Sequence, residues 1–204
     1  MLKSCDNMLA TDLGYRLLAP TFTKPDPHIG RISTLEPGIC ENGTIYAHGN
    51  AFMMLGLLRS GMPEKAYEIY QRITPGYLAG DTDPKHMGPP YVYANGYFGP
   101  DHRNRPFQME FTWMTGSVAW FYHVILREFL GVQADYAGIT ISPNLPDNWD
   151  RLSLKRTLRG KNFTFNFQKS GSPGLLLNGQ PVKGNHIPYQ SCKAENMITI
   201  SLQE

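Results

Sequence analysis

Hydrophobic and polar residues follow two patterns along the chain, one typical of helices and one typical of strands. Helical spacing is clearest in Ala51–Arg59 and Glu64–Ile73, where apolar residues fall on one face and a short turn separates the two segments. Pro63 precedes the second segment, and a proline in the first turn favours a helix start. Ser117–Leu130 is apolar all round, so it predicts a helix that is buried on every side and ends at Gly131.

After Asp135, apolar residues alternate with polar ones, as they do in strands that have one buried face. Asn178-Gly179 is a strong signal for a tight hairpin turn. The sequence therefore predicts the α+β class, with a helical part over residues 1–134 and a small antiparallel β part over residues 135–204. The predicted strands are Gly138–Ser142, Leu152–Thr157, Asn162–Gln168, Gly174–Asn178 and Met197–Leu202.

Two long segments rich in proline and glycine, Ala19–Gly43 and residues 74–112, show neither pattern and predict irregular structure. Long loops inside a compact domain usually carry function. The helical part offers few helices to surround Ser117–Leu130 and little for its long loops to cover. We therefore expect it to be a fragment of a larger helical domain, truncated on its N-terminal side.

Composition excludes several classes of partner. The chain has 204 residues, a formal net charge of +2 and 18% charged residues, so it lacks the basic face that nucleic acid or an anionic membrane requires. Its 3 cysteines, without a CxxC pair, predict neither a disulfide framework nor a metal site. The sequence has no secretory signal and no apolar stretch long enough to span a membrane, so we expect a cytoplasmic protein.

Polar groups suited to anion binding precede two of the predicted helices. His48 lies just before Ala51, and Thr115 and Gly116 lie just before Ser117. Unpaired N–H groups and the helix dipole favour anions at a helix start, so these residues are candidates for an oxyanion or phosphate site. The structural alternative is a half-buried histidine with satisfied hydrogen bonds, and an ordinary helix cap at Thr115 and Gly116.

The strings around these residues are more specific than their spacing. Pro37–His48 reads PGICENGTIYAH, and it resembles a segment of the inverting disaccharide phosphorylases of glycoside hydrolase family 94, which include the cellobiose and chitobiose phosphorylases. Other segments agree in the same order, and the resemblance covers the chain from about Lys24 to Pro188. These segments are Pro90–Tyr93, Gly99–His102, Trp113–Trp120 and Gly138–Trp149.

The resemblance implies a fold and a reaction. The helical part would supply the closing helices of an (α/α)6 barrel, and the β part would be a C-terminal β-sandwich of jelly-roll type. Family members cleave a β-glycosidic bond by direct attack of inorganic phosphate, with inversion, and release an α-sugar 1-phosphate. Phosphate replaces the activated water of an inverting glycosidase, so one carboxylic acid suffices and no cofactor is needed. The implied substrates are phosphate and a β-linked disaccharide or oligosaccharide, and family members are usually homodimers.

The resemblance also implies roles for individual residues. His48, Thr115 and Gly116 match phosphate-binding residues of the family. The family's general acid is an aspartate in a motif that lies N-terminal to this region, and no matching string occurs here. We therefore assign no catalytic residue and no metal ligand in this chain. The missing N-terminal part of the same protein is expected to supply the acid.

Three positions near these motifs bear on the substrate. Cys40 stands where cellobiose phosphorylases carry a lysine, and a thiol cannot supply that charge. Arg31 falls near a position where those enzymes place an acceptor-contacting glutamate. An arginine there favours an anionic or longer acceptor, unless Arg31 simply lies in water on the loop surface. Asn95, where relatives carry glutamine, is a candidate contact to phosphate or sugar.

Two other functions stay open at this point. A non-catalytic carbohydrate-binding or structural remnant would need exposed aromatic platforms, but Phe163, Phe165 and Phe167 alternate along one strand and predict a core. A hydrolase on the same barrel would need a base carboxylate instead of a phosphate site. Trp113 and Trp120 are interpreted as core and barrel-wall aromatic residues rather than as sugar platforms.

Overall fold

The computed structural model describes residues 2–74, 92–113, 116–170 and 172–203. The chain forms two compact units, Met1–Val124 and Ile125–Glu204. Helices and sheets are both present, which confirms the α+β class. The units divide after Val124, whereas the sequence pattern placed a domain boundary after residue 134; the domain assignment itself stays a prediction.

The first unit contains the helical pair that the apolar spacing predicts. The helices of the described residues are α1 (Leu2–Leu9), α2 (Ala47–Arg59), α3 (Pro63–Ile73) and α4 (Ser117–His123). None of them has the length and apolarity needed to cross a membrane. Helix α2 begins at Ala47 rather than at Ala51, so His48 lies inside its first turn. The helices α2 and α3 bury Ala51, Met54, Leu57, Leu58, Ala66, Ile69 and Ile73.

Helix α4 differs from the prediction in geometry and is only partly buried. It is α-helical only to His123, and a π-helical turn, Val124–Phe129, continues it. Phe121 and Val124 are buried, but Val118 and Tyr122 are exposed, as expected for a chain that supplies few neighbours for this helix. A helix that is apolar on all faces is stable when other residues pack against each face, and the described residues pack against one face of α4 only.

A small sheet in the first unit was missed by the sequence analysis. The strands β1 (Ala10–Thr11) and β2 (Gly14–Tyr15) form a hairpin, while β3 (Ile45–Tyr46), β4 (Ala94–Tyr97) and β5 (Met109–Thr112) form an antiparallel sheet in that order. Irregular structure was predicted here because β4 is short, does not alternate and contains Gly96. A Cβ at Gly96 would lie 2.9 Å from the Ile45 carbonyl oxygen, so the close approach of β3 requires glycine.

The second unit confirms the predicted strands and the predicted turn. Its strands are β6 (Val132–Ala134), β7 (Gly138–Ile141), β8 (Arg151–Leu158), β9 (Lys161–Lys169), β10 (Gly174–Leu177), β11 (Gln180–Pro181), β12 (His186–Pro188) and β13 (Glu195–Leu202). Asn178 and Gly179 have φ values of 51° and 83° between β10 and β11, as a tight hairpin turn requires. The predicted core of Phe163, Phe165 and Phe167 is buried.

The strand directions in the second unit correct one prediction. The larger sheet has the order β11-β10-β13-β9-β8, and the smaller sheet has the order β12-β7-β6. Strand β13 pairs with β9 in parallel, so the larger sheet is mixed and not purely antiparallel. Alternation determines which face of a strand is buried, but it carries no information on the direction of the neighbouring strand. Residues of both sheets share one hydrophobic core, including Ile139, Ile187 and Ile198.

Candidate functional site

A buried asparagine anchors the long loop that precedes α2. Asn42 is fully buried, and its Nδ2 donates to the carbonyl oxygens of Phe22 at 2.9 Å and Leu35 at 2.8 Å. Its Oδ1 accepts the Phe22 N–H at 2.8 Å. The side chain therefore replaces backbone pairing between the Pro37–Gly43 turn and a segment without regular structure. The sequence analysis did not single out Asn42, although its place between Glu41 and Gly43 in the motif was a signal.

Replacing Asn42 with alanine is expected to lower the free energy of unfolding by about 2–3 kcal/mol, because three partly buried backbone groups lose their hydrogen-bond partner. Urea denaturation followed by circular dichroism measures the change. Asn104→Ala is the matched control, since the Asn104 side chain is exposed and its replacement should change stability by less than about 0.5 kcal/mol. Equal midpoints for both variants would contradict the anchoring role.

His48 lies at the start of α2 in an aromatic environment. Its ring centroid is 4.7 Å from that of Phe52 and 5.8 Å from that of Trp120. Its Nδ1 is 3.5 Å from the Tyr46 hydroxyl. Its Nε2 is buried and has no hydrogen-bond partner among the residues that the structure describes. A buried polar atom without a hydrogen-bond partner lowers the stability of the fold. Nε2 is therefore a candidate to form a hydrogen bond with a ligand.

Gly116 lies beside the imidazole of His48, as the predicted phosphate site requires. A Cβ at Gly116 would stand 3.5 Å from His48 Cε1 and 3.9 Å from its Nδ1, so a side chain would project over the ring. The third predicted phosphate-binding residue, Thr115, lies outside the described residues. The structure therefore brings together His48 and Gly116, which are far apart in the sequence.

A cleft of about 250 Å³ adjoins this pair through Tyr46, which lines the cleft and also contacts His48. Two of the predicted substrate-binding residues, Cys40 and Asn95, line the cleft together. The other lining residues are Leu17, Glu41, Thr44, Tyr46 and Glu110. A larger cleft of about 460 Å³ lies in the second unit and contains none of the predicted site residues. Among the described residues, no group of three or more His, Cys, Asp or Glu side chains is arranged to hold a metal ion.

Glu110 is a buried carboxylate in this cleft that the sequence analysis missed. It is 3% exposed, and its Oε2 accepts the Thr44 hydroxyl at 2.6 Å. Its Oε1 accepts the Cys40 N–H at 3.2 Å and lies 3.5 Å from the Cys40 thiol. These contacts join β5 to the Cys40–Thr44 turn, where Cys40 has a φ of 47°. The sequence predicted irregular structure at this position, so no local pattern marked Glu110 as a site residue.

The surroundings of Cys40 keep its thiol protonated. Burial, followed by the charge of Glu110, raises the pKa of Cys40 to about 11. The thiol is therefore a neutral group at physiological pH. It cannot act there as an anion or replace the charge of a lysine.

Arg31 is not among the residues that line the cleft. It belongs to a 3₁₀ helix, Gly30–Thr34, and its side chain is 71% exposed. Its Nη1 lies 3.4 Å from Glu41 Oε1, so its charge is partly offset by a lining carboxylate. A contact between Arg31 and substrate stays a prediction.

Two residues of the recognised motifs have structures that the sequence did not indicate. His102 is buried, and its Nδ1 accepts the backbone N–H groups of Asn104 and Arg105, so it holds a turn. Trp113 is 72% exposed with a φ of 62°, and the prediction that it lies in a core is wrong. Its position follows β5, where the described chain offers no surface to cover the ring.

Comparison with known proteins gives a consistent result. The family described as "Glycosyl hydrolase 94 superfamily, catalytic domain" matches residues 1–131. The chain is similar to solabiose phosphorylase of Paenibacillus borealis, with 33% identity over 193 residues that make up 92% of this chain and 25% of that protein. It is also similar to N,N'-diacetylchitobiose phosphorylase of Vibrio proteolyticus, with 28% identity over 98% of this chain and 25% of that protein.

A further relative is cellobionic acid phosphorylase of Neurospora crassa, with 28% identity over 89% of this chain and 23% of that protein. The chain thus spans about a quarter of the length of these curated relatives. The matched residues include His48, Gly116 and the cleft beside them, and the match covers more than half of the chain. The chain belongs to the glycosyl hydrolase 94 superfamily.

Proposed function

We propose that the protein containing this chain is an inverting phosphorylase that cleaves a β-glucosidic bond with inorganic phosphate and releases an α-sugar 1-phosphate. The proposal is supported by the superfamily and by relatives that are named as phosphorylases of solabiose, chitobiose and cellobionic acid. Because the chain spans about a quarter of those relatives, the proposal concerns the whole protein.

The observation that carries the proposal is the imidazole of His48, which lies beside Gly116 and whose buried Nε2 has no hydrogen-bond partner among the described residues. In its Nε2–H tautomer, the imidazole donates one hydrogen bond, and the Gly116 amide is a second candidate donor. A phosphate dianion needs several donors, aimed at its oxygens while it attacks the sugar carbon. Thr115 would add a hydroxyl to the same site. The role of this chain is thus to bind and orient phosphate.

The remaining chemistry is assigned to other parts of the protein. An inverting phosphorylase needs one carboxylic acid to protonate the leaving oxygen, because phosphate itself is the nucleophile. Glu110 is engaged by Thr44 and Cys40, and Glu41 by Arg31, so we give neither of them this role. Inorganic phosphate is the co-substrate, and no further cofactor is proposed.

The architecture and assembly of the whole protein follow the same reasoning. We infer that the first unit supplies closing helices of an (α/α)6 barrel whose remaining helices lie in the N-terminal part. The second unit would then be the C-terminal jelly-roll sandwich. A homodimeric state and a cytoplasmic location stay predictions.

Phosphorolysis measured on the full-length protein and on the isolated 204-residue chain tests the proposal. With β-linked disaccharides and phosphate, the full-length protein should form an α-sugar 1-phosphate, visible by phosphorus NMR. The isolated chain should form none, because it lacks the proposed acid. Reducing sugar released without consumption of phosphate would instead indicate a hydrolase, and no product at all from the full-length protein would indicate a binding or structural protein.

A further inference from the structure

The cleft beside His48 carries an unbalanced negative charge. Among the described residues, its lining includes two carboxylates, Glu41 and Glu110, and no lysine, arginine or histidine. Glu110 is 3% exposed, and the groups that donate to it, the Thr44 hydroxyl, the Cys40 N–H and the Cys40 thiol, are neutral. No cation among the described lining residues offsets its charge, and burial limits the screening of that charge by salt.

The Arg31 guanidinium does not remove this charge. It lies 3.4 Å from Glu41, with side chains 71% and 49% exposed, so water screens the pair. The same two charges act on the Cys40 thiol, because those of Glu110 and Glu41 add to burial in raising its pKa to about 11. Arg31 acts in the opposite direction and has the smallest influence of these groups. An anion at the position of the Cys40 sulfur is thus disfavoured.

We propose that this cleft binds the hydroxyl groups of an uncharged sugar and rejects sugars that carry a carboxylate, with Glu110 as the residue that sets the selectivity. The lining offers hydroxyl partners in the Glu41 carboxylate, the Tyr46 phenol and the Asn95 amide. Burying a second carboxylate near Glu110 would bring like charges together, which costs affinity. This proposal rests on the proposed function, and it differs from the anionic acceptor that the position of Arg31 suggested.

The charge selectivity can be measured without any enzymatic activity. Iodoacetamide and iodoacetate both alkylate a thiolate with loss of iodide, and they differ by one negative charge. We expect the rate ratio of iodoacetamide to iodoacetate to be about tenfold higher at Cys40 than at Cys5, which lies on α1 and does not line the cleft. Peptide mass spectrometry gives both rates on the same sample.

The variant Glu110→Gln isolates the charge with little change of shape. The Thr44 hydroxyl lies 2.6 Å from Glu110 and 2.7 Å from the Tyr97 carbonyl oxygen, and its single proton can serve one acceptor at a time. A glutamine amide can donate to Thr44 while Thr44 donates to Tyr97, so the variant keeps its hydrogen bonds. In Glu110→Gln, the ratio of the iodoacetamide rate to the iodoacetate rate at Cys40 should fall toward the ratio at Cys5. A change in the pKa of the Cys40 thiol would alter both rates by the same factor, so it could not produce this change in the ratio.

The sugar selectivity is tested on the full-length protein in the synthetic direction, with α-sugar 1-phosphates as donors and phosphate release as the readout. Glucose, glucuronamide and glucuronate form a matched series that separates size from charge. We expect glucuronamide to be used at least about tenfold better than glucuronate, and Glu110→Gln to reduce that ratio. Glu41→Gln should reduce it less, and Glu68→Gln, on the exposed face of α3, should leave it unchanged.

The possible outcomes separate the two proposals. Equal alkylation ratios at Cys40 and Cys5, or glucuronate used as well as glucuronamide, would overturn the charge selectivity. If none of the acceptors leads to phosphate release while the alkylation ratio at Cys40 is high, the result would support the charged cleft and refute the phosphorylase function. If Glu110→Gln does not fold, the comparison of Cys40 with Cys5 in the unmodified protein still tests the charge selectivity, and equal alkylation ratios at the two thiols would overturn the proposal.

Discussion

Replacing His48 with alanine in the full-length protein is expected to lower kcat/KM for phosphate by a factor of about a hundred or more. Loss of one aimed donor to a developing or attacking oxyanion costs about 2–4 kcal/mol in the transition state. The physical reason is the buried Nε2, which has no hydrogen-bond partner among the described residues, in an imidazole whose ring lies beside Gly116. Initial rates with phosphate and disaccharide varied separately measure the effect, and KM for the disaccharide should change little.

Two further variants separate the ring nitrogen from the packing of the ring. His48→Phe keeps an aromatic ring against Phe52 and Trp120 but removes both nitrogens, so it should lose phosphate use as His48→Ala does. His28→Ala is the matched control, because His28 is exposed on the loop surface. Full phosphate dependence retained in His48→Phe would remove the imidazole from the phosphate site. Thr115→Ala is expected to act in the same direction as His48→Ala.

Replacing Phe165 with alanine is expected to destabilise the second unit by about 3–5 kcal/mol. Phe165 is 0% exposed, and its ring stacks on that of Phe163 at 6.0 Å in a core to which both sheets contribute. The loss combines the transfer energy of a large apolar side chain with the cavity that remains. Because native domains are stable by only about 5–15 kcal/mol, the variant is expected to retain little folded β structure.

Urea or thermal unfolding followed by circular dichroism measures this loss. Met197→Ala is the matched control, since Met197 lies on β13 in the same sheet but is exposed. Its replacement should change the free energy of unfolding by less than about 0.5 kcal/mol. Similar losses in both variants would show that burial in this core is not the main source of stability.

Local periodicity was sufficient to predict the elements that have one buried face. Helices α2 and α3 and strands β7 to β10 were found close to their predicted places, because a face that packs against a core must carry apolar residues at the period of its backbone. The Asn178-Gly179 turn was predicted for an equally local reason, since both residues tolerate a positive φ. The recognised motifs also predicted the family, because they contain residues of the binding site. Periodicity reflects only which residues are buried.

The candidate site was only partly predictable. His48 and Gly116 were chosen from their strings, and the structure brings them together. Glu110 and Asn42 were missed, because the value of a buried polar residue depends on partners that lie far away in the sequence, such as Thr44 for Glu110 and Phe22 for Asn42.

The sequence by itself determined which faces of the helices and strands are apolar, where the turns occur and to which family the chain belongs. Tertiary structure alone decided that β13 runs parallel to β9, that β3, β4 and β5 form a sheet, and that Trp113 is exposed. It also decided that Glu110 lies in a cleft with Glu41 while Arg31 stays outside the lining. The reason is that periodicity shows only which face of an element is buried. Strand direction, burial of a charge and the net charge of a cleft depend on which residues, distant in the sequence, pack against that face.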